Sequence, residues 1–352
     1  MDAAAEFAAE ADLARVEAAL VPALIEARIG QWRAIVAGRA LAPPAPAECS
    51  AGVERWLAAR RRHRRAELLW RLVCALRVEA EPPVAAAVVA GDAARARAAR
   101  DRAARRRGWP SFAALARELA GAAEVDAALQ AAGGGARVAD DGASAWDGAA
   151  GTLAGRSPAA AVDAIAEAVE ALGLSLGGVH IDASLVGTAG PVRAWTVPVD
   201  PPRDVRVWVR APHAPAGWRA LAHELGHAAF ARAHDPALPW GLRGGTPRAV
   251  HEAVALVVER VAGARRPAGS VRSPARVADP LGAPAYAAGA RLGAVVAARL
   301  AGQPPAAVGR ALAPALAAGG AVAAGEWLAR CGAPGARVSR APAGRARRTP
   351  ER

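Results

Sequence analysis

The 352-residue chain contains no lysine and no asparagine, so its 45 basic residues other than histidine are all arginine. Such uniform replacement indicates a GC-rich codon bias, which weakens any functional interpretation of the net charge of +13. Aromatic residues make up only 4% of the chain. Much of the 53% apolar content is alanine, which favours helices. The composition therefore predicts a mainly helical protein with a core sufficient for one large or two modest domains.

Other absences exclude whole classes of protein. The three cysteines, Cys49, Cys74 and Cys331, are odd in number and lack paired spacing, so neither a disulfide framework nor a cysteine zinc site is expected. The N-terminus lacks the basic and apolar stretches of a signal peptide. Proline and glycine interrupt every long apolar run before it could cross a bilayer. We therefore expect a cytoplasmic protein without a membrane partner.

Arginine is densest in two runs, residues 60–65 and residues 105–107. A basic chain can bind nucleic acid, and an Arg-rich helical region that does so is a competing hypothesis. No nucleic-acid-binding motif accompanies the runs, and alanine and glutamate are interleaved with arginine. We therefore interpret the runs as solvated helix faces and expect no nucleic-acid partner.

Turn-forming residues divide the chain into four predicted regions. Residues 1–132 form an N-terminal helical region with apolar residues at helical spacing. Residues 133–155 are rich in glycine and form a linker, and residues 337–352 form a disordered basic tail. The remaining region, residues 156–336, is the candidate catalytic region. It has three short strand patterns, at 179–181, 194–199 and 205–209, before a nearly all-helical remainder.

The most informative segment is His223-Glu224-Leu225-Gly226-His227. Histidines at i and i+4 lie one turn apart on the same face of a helix, so both imidazoles can reach one metal ion. Glu224 can then hold a water bound to that metal, as in the H-E-x-x-H zinc peptidases. The competing interpretation is two core histidines satisfied by hydrogen bonds.

A catalytic zinc site needs a third protein ligand and one open position. Glu252 is the best candidate, because the turn-forming residues from 235 to 247 predict a second helix that returns beside the first. The alternative for Glu252 is an acid placed near a helix N-terminus by the dipole. His234 and His251 are rival ligands, although His251 points about 100° away from Glu252 at the helical period.

The order of these segments resembles a known group of peptidases. Ala194-Trp195 comes first, followed by a strand, the H-E-x-x-H helix, Gly245-Thr246-Pro247 and His251-Glu252. This order is similar to that of the angiotensin-converting-enzyme family of gluzincin peptidases and of the related thimet-type oligopeptidase family. The similarity is closest from about residue 194 to residue 258.

The resemblance implies a mainly α, two-lobed zincin-like peptidase with a small β-sheet next to the H-E-x-x-H helix. Zn²⁺ would be bound by His223, His227 and Glu252, with Glu224 as the general base. The strand that carries Ala194 and Trp195 would line the cleft and bind an extended peptide substrate through main-chain hydrogen bonds.

The chain also departs from these families. They place a histidine just before the Ala-Trp segment, near Pro191 in this chain, and a later histidine stabilises the developing oxyanion. This chain has no histidine after His251. Its single tyrosine, Tyr286, falls roughly where the catalytic tyrosine of the families would lie. It is interpreted either as an oxyanion donor or as a tyrosine packed at a helix start.

These observations predict a zinc-dependent metallopeptidase that hydrolyses oligopeptides, with Glu224 as general base on a zinc-bound water. The alternative is a zinc-binding, catalytically impaired relative of the peptidases that acts as a binding module.

Overall fold

The computed structural model describes residues 3–38, 47–133, 153, 155–186, 193–211, 213–263 and 282–331. In these residues the chain is mainly helical with one three-stranded sheet, which confirms the fold class at that level. The predicted linker lies almost entirely outside the described residues. The predicted basic tail and Pro191 lie wholly outside them.

The part of the chain before the linker is helical. Its helices are α1 (Ala3–Val36), α2 (Ala51–Ala58), α3 (Arg64–Glu79), α4 (Pro82–Val89), α5 (Ala93–Arg106), α6 (Phe112–Leu119) and α7 (Ala122–Ala131). Side-chain oxygens of Ser50, Asp92 and Ser111 accept hydrogen bonds from main-chain N–H groups in the first turns of α2, α5 and α6. These N-caps satisfy donors that the helix itself leaves without partners.

Helix α8 (Pro158–Ala171) leads into the sheet, whose strands are β1 (Val179–Val186), β2 (Arg193–Asp200) and β3 (Asp204–Ala211). The strand order is β1-β3-β2, with β1 parallel and β2 antiparallel to β3. The sequence predicted all three strands and only underestimated their length. Strand β2 lies at an edge, because no other described strand pairs with it.

The remainder of the chain is helical. Its helices are α9 (Pro215–Ala233), α10 (Trp240–Gly244), α11 (Arg248–Gly263), α12 (Gly282–Leu300), α13 (Pro305–Ala318) and α14 (Ala324–Arg330). The sequence predicted the long helices α9 and α11, whereas the short α10 lies in a segment predicted to be turns only. Across the described ranges, no helix is both long and apolar enough to cross a membrane.

The sheet lies between two helices. On one face, Trp32 and Ile35 of α1 form a cluster with Val197, Val199 and Trp208 of the sheet. The other face packs on α9 and belongs to the largest core, which also contains residues of α7, α8 and α11 to α14. Because side chains alternate across a strand, this arrangement decides which residues of β2 can reach the H-E-x-x-H helix.

Glycine permits two close helix contacts in this core. A Cβ at Gly226 of α9 would lie 2.8 Å from Cα of Ala255 in α11. A Cβ at Gly289 of α12 would lie 2.5 Å from Cβ of Glu252 in α11. Neither position has room for a side chain, so α11 is held tightly between α9 and α12.

The first arginine run is not the solvated helix face that was predicted, whereas Arg105 and Arg106 of the second run are exposed as predicted. Arg61 and Arg65 form ion pairs with glutamates of other helices, and Arg64 binds both carboxylate oxygens of Glu124 at 2.8 Å. The side chains of these three arginines are only 13–30% exposed. Their partners are distant in sequence, so local composition could not reveal them.

Candidate metal centre

Helices α9 and α11 bring the three predicted ligands together. Nε2 of His223 lies 3.3 Å from Oε2 of Glu252, and Nε2 of His227 lies 3.7 Å from the same oxygen. The three donor atoms lie within 4.8 Å of one another. Ligand atoms at about 2.0–2.1 Å from a tetrahedral zinc ion are about 3.3–3.4 Å apart, so the donor set fits that ion after small adjustments.

The centre is largely enclosed. The side chains of His223 and His227 are 15% and 14% exposed, whereas that of Glu252 is 7% exposed. The donor residues are therefore mostly buried, and the two imidazoles are somewhat more exposed than Glu252. Two imidazoles and one carboxylate are a donor set that suits zinc.

A second carboxylate, Glu259, binds the other nitrogen of His223. Nδ1 of His223 lies 3.1 Å from Oε2 of Glu259, whose other oxygen accepts hydrogen bonds from Arg219. When Nδ1–H donates a hydrogen bond to Glu259, Nε2 keeps its lone pair free to bind a metal ion next to Glu252. The role of Glu259 was not predicted from the sequence, although its spacing of two helical turns from Glu252 places both residues on one face of α11.

The protonation states follow from this arrangement. Burial opposes a charge on His223, but the hydrogen bonds to Glu252 and Glu259 outweigh burial and raise its pKa well above 6.5. Burial lowers the pKa of His227 to about 3, so this ligand is neutral. Without a metal, His223 therefore carries a proton at neutral pH, and a bound cation takes over the charge that its carboxylate neighbours require.

Glu252 is held as a carboxylate. Burial favours its neutral form, but His227, His223 and Arg248 together outweigh burial and lower its pKa below the ordinary 4.5. Nε of Arg248 lies 3.6 Å from Oε1 of Glu252, one turn earlier on α11. Arg248 thus faces one oxygen of Glu252, while the other oxygen faces both imidazoles.

Glu224 lies beside the donor set, 9% exposed, and does not belong to it. Its carboxylate Oε2 is 2.7 Å from Oγ1 of Thr196 on β2. Burial is the main cause that raises its pKa, and the charge of His223 opposes the increase. A carboxylate whose pKa is raised in this way is a stronger proton acceptor than one in water. The contact with Thr196 was not predicted from the sequence.

The rival histidines lie behind the centre. The ring of His251 is 6.0 Å from that of His227, and His234 is 6.2 Å further on. Burial lowers the pKa of His234 to about 3, and neither of its ring nitrogens has a hydrogen-bond partner in the described structure. Neither residue belongs to the cluster of donor atoms, so the geometry favours Glu252 over both.

The remaining predicted site residues lie at the margin. The ring of Tyr286 in α12 is 6.3 Å from that of His223, and the residue is 38% exposed. Ala194 packs against the same core as α9. The ring of Trp195 lies 5.8 Å from that of Trp208, tilted by 33°, in the cluster with α1 and on the opposite face of β2 from Thr196. The ring of Trp195 therefore faces away from the metal centre, and only its main chain lies along the edge of the sheet.

Comparisons of the chain with family models, with curated proteins and with solved structures found no significant match. The functional interpretation therefore depends on the sequence motif and on the geometry of the site.

Proposed function

We propose that this chain is a zinc-dependent metallopeptidase of the gluzincin type that hydrolyses oligopeptides. The observation that carries the proposal is the convergence of His223, His227 and Glu252 within 4.8 Å, with the carboxylate of Glu224 beside them. Separate residues then serve as ligands and as base, which is the division of roles in the H-E-x-x-H peptidases. A mainly helical chain with a small sheet against the H-E-x-x-H helix is consistent with a zincin-like fold.

The residues divide the chemistry between them. Zinc, when bound, polarises the scissile carbonyl and makes a water more acidic. Glu224 accepts the proton of the attacking water and passes it to the leaving amine. Glu259, held by Arg219, binds Nδ1 of His223 and so keeps Nε2 available as a metal ligand. Tyr286, next to His223, donates a hydrogen bond from its hydroxyl to the carbonyl oxygen as negative charge develops there.

The edge of the sheet supplies the peptide-binding surface. Strand β2 has no partner on one side among the described strands, and Thr196 of β2 contacts Glu224. A peptide that pairs with the free edge of β2 near Ala194 and Trp195 passes close to the metal centre. Its main-chain groups would satisfy the strand edge, and pairing of this kind imposes no sequence preference by itself.

The test combines metal analysis with hydrolysis. Purified protein is expected to contain one zinc ion per chain and to cleave internally quenched peptides in a reaction that a chelator stops. Glu224→Gln should keep the zinc and lower turnover by about 10²–10⁴-fold, the contribution of a general base. Glu326→Gln, at an exposed ion pair on α14, is the matched control that should change neither quantity. Turnover unaffected by chelation would contradict the proposal.

A second candidate is a zinc-binding relative that no longer turns over peptides. It is favoured by one observation, the absence of any histidine after His251, which leaves Tyr286 as the oxyanion donor among the family-type residues. Losing one such donor typically lowers the rate by ~10²–10³-fold. Stoichiometric zinc without chelator-sensitive hydrolysis would select this candidate.

A further inference from the structure

The hydroxyl of Thr196 makes two contacts with the same residue. Its Oγ1 lies 2.7 Å from the carboxylate oxygen Oε2 of Glu224 and 2.8 Å from the main-chain oxygen of Glu224. Thr196 belongs to β2 and Glu224 to α9, so the two contacts join the peptide-binding strand to the helix of the base.

A hydroxyl has one hydrogen to donate and two lone pairs that accept. Thr196 can therefore donate to only one of its two neighbouring oxygens at a time. A charged acceptor forms a stronger hydrogen bond than a neutral carbonyl oxygen, so the hydroxyl donates to Oε2 of the Glu224 carboxylate. The 2.8 Å contact with the main-chain oxygen places the same hydroxyl against the backbone of α9.

We infer, on the basis of the function proposed above, that Thr196 is a positioning residue that holds the carboxylate of Glu224 in a fixed place relative to β2. In the reaction, an O–H bond of the attacking water breaks and its proton forms an O–H bond on Glu224. The same proton then leaves to the amine. Thr196 keeps the side chain of Glu224 in one rotamer during both transfers, because it stays bound to Oε2.

The position of Thr196 gives this contact a second consequence. A peptide paired with β2 is placed by the same strand that holds Glu224, so the distance from the base to the scissile bond is fixed through one rigid element. A displacement of a reacting group by about 1 Å can lower a rate by ~10²-fold. Without the hydroxyl, the buried carboxylate loses the only side-chain hydrogen bond that the described residues give it.

The test compares Thr196→Val with Thr196→Ser. Valine keeps the branched shape and removes the hydroxyl, so kcat should fall by ~10–100-fold, while KM and zinc content stay the same. Serine keeps the hydroxyl and should retain most of the activity. Thr246→Val is the matched control, because Thr246 is a buried threonine that donates only to main-chain oxygens of Leu242 and Arg243. Wild-type kcat in Thr196→Val would overturn the inference.

Two further measurements separate this inference from the proposed function. If Thr196→Val does not fold, Thr196→Ala replaces it in the same comparison with serine. Crystal structures of the wild type and the variant report the position of the Glu224 carboxylate whether or not any peptide is cleaved. We expect a shift of about 1 Å or more without the hydroxyl. An unmoved carboxylate would refute the role of Thr196, whereas an inactive wild type would refute only the peptidase.

Discussion

Two clusters of buried charge in this protein are built from similar side chains and have opposite requirements. In the first, Arg64 and Arg71 of α3 bind Glu67 of the same helix and Glu124 of α7. Two cations and two anions balance there without any added ion. In the metal centre, Glu252 and Glu259 bind the two nitrogens of the single imidazole of His223.

The difference shows that a fold can create a cation site by leaving buried negative charge without a full complement of positive charge. In the arginine cluster the charges balance, and the carboxylate of Glu124 accepts bidentate hydrogen bonds from Arg64 and a further one from the main-chain N–H of Ala324. The metal centre also has two arginines, Arg219 beside Glu259 and Arg248 beside Glu252, but with Glu224 it holds three carboxylates. One negative charge therefore remains unbalanced until His223 is protonated or a cation is bound. Four predictions test this contrast, in order of expected effect.

Removing a ligand should have the largest effect. His227→Ala leaves one imidazole and one carboxylate, and we expect the protein to lose its zinc during dialysis. His251→Ala, beside Glu252 but outside the donor set, should keep one zinc ion per chain. Elemental analysis measures both. Zinc retained in the first variant, or lost in the second, would show that the donor set is different from the one assigned.

Breaking the balanced cluster should destabilise the fold without affecting zinc. Glu124→Gln leaves Arg64 and Arg71 without a charged partner on α7. We expect a loss of roughly 2–3 kcal/mol in the free energy of unfolding, below the range for fully buried pairs because Glu124 is 15% exposed. Glu326→Gln, at the exposed pair with Arg330, should change it by less than about 1 kcal/mol. Denaturant titration gives both values, and equal losses would contradict the comparison.

Removing the charge behind His223 should weaken zinc binding. Glu259→Gln keeps the shape of the side chain but removes the negative charge that orients the imidazole, and residues in this role typically contribute 10–100-fold in affinity. We expect a weakening of about tenfold, measured by competition with a chromogenic chelator. The same affinity in wild type and variant would mean that Glu259 serves only as a partner of Arg219.

The pH dependence should have opposite signs in the two forms of the protein. Because the pKa of His223 in the fold is raised above 6.5, its imidazolium stabilises the metal-free protein fully below pH 6.5. That contribution is lost as the pH rises through the raised pKa. Zinc must displace the proton, so its affinity should fall by about tenfold per pH unit below that pKa. Thermal melts with and without zinc, and calorimetry in two buffers, measure both trends. Zinc affinity independent of pH would contradict the assignment.

The sequence predicted those parts of the site that depend on local periodicity. His223, Glu224 and His227 follow from the repeat of a single helix, and Glu252 follows from a turn-rich segment that returns the chain. The three strands were also recognisable from their branched residues. Each of these features is encoded within about thirty residues, so the local sequence pattern suffices to predict them.

The parts of the site that were not predicted depend on which faces of the strands and helices pack against each other. Thr196 reaches Glu224 only because β2 pairs with β3 in a register that directs Thr196 towards α9 and Trp195 towards α1. No spacing in the sequence gives that register. Glu259 was within reach of the helical period, but whether it contacts His223 depends on how closely α9 and α11 approach at Gly226.

The close contact at Gly289 has a consequence for metal selectivity. Gly289 lies against Cβ of Glu252 and against the main chain of Ala249 and Ala253, so α12 fixes the base of the Glu252 side chain. The distance between the carboxylate and the two imidazoles, and with it the radius of the ion that fits, thus depends partly on a residue that donates no atom to the metal. Engineering of ionic preference can therefore start from the volume behind a ligand and leave the coordinating side chains untouched.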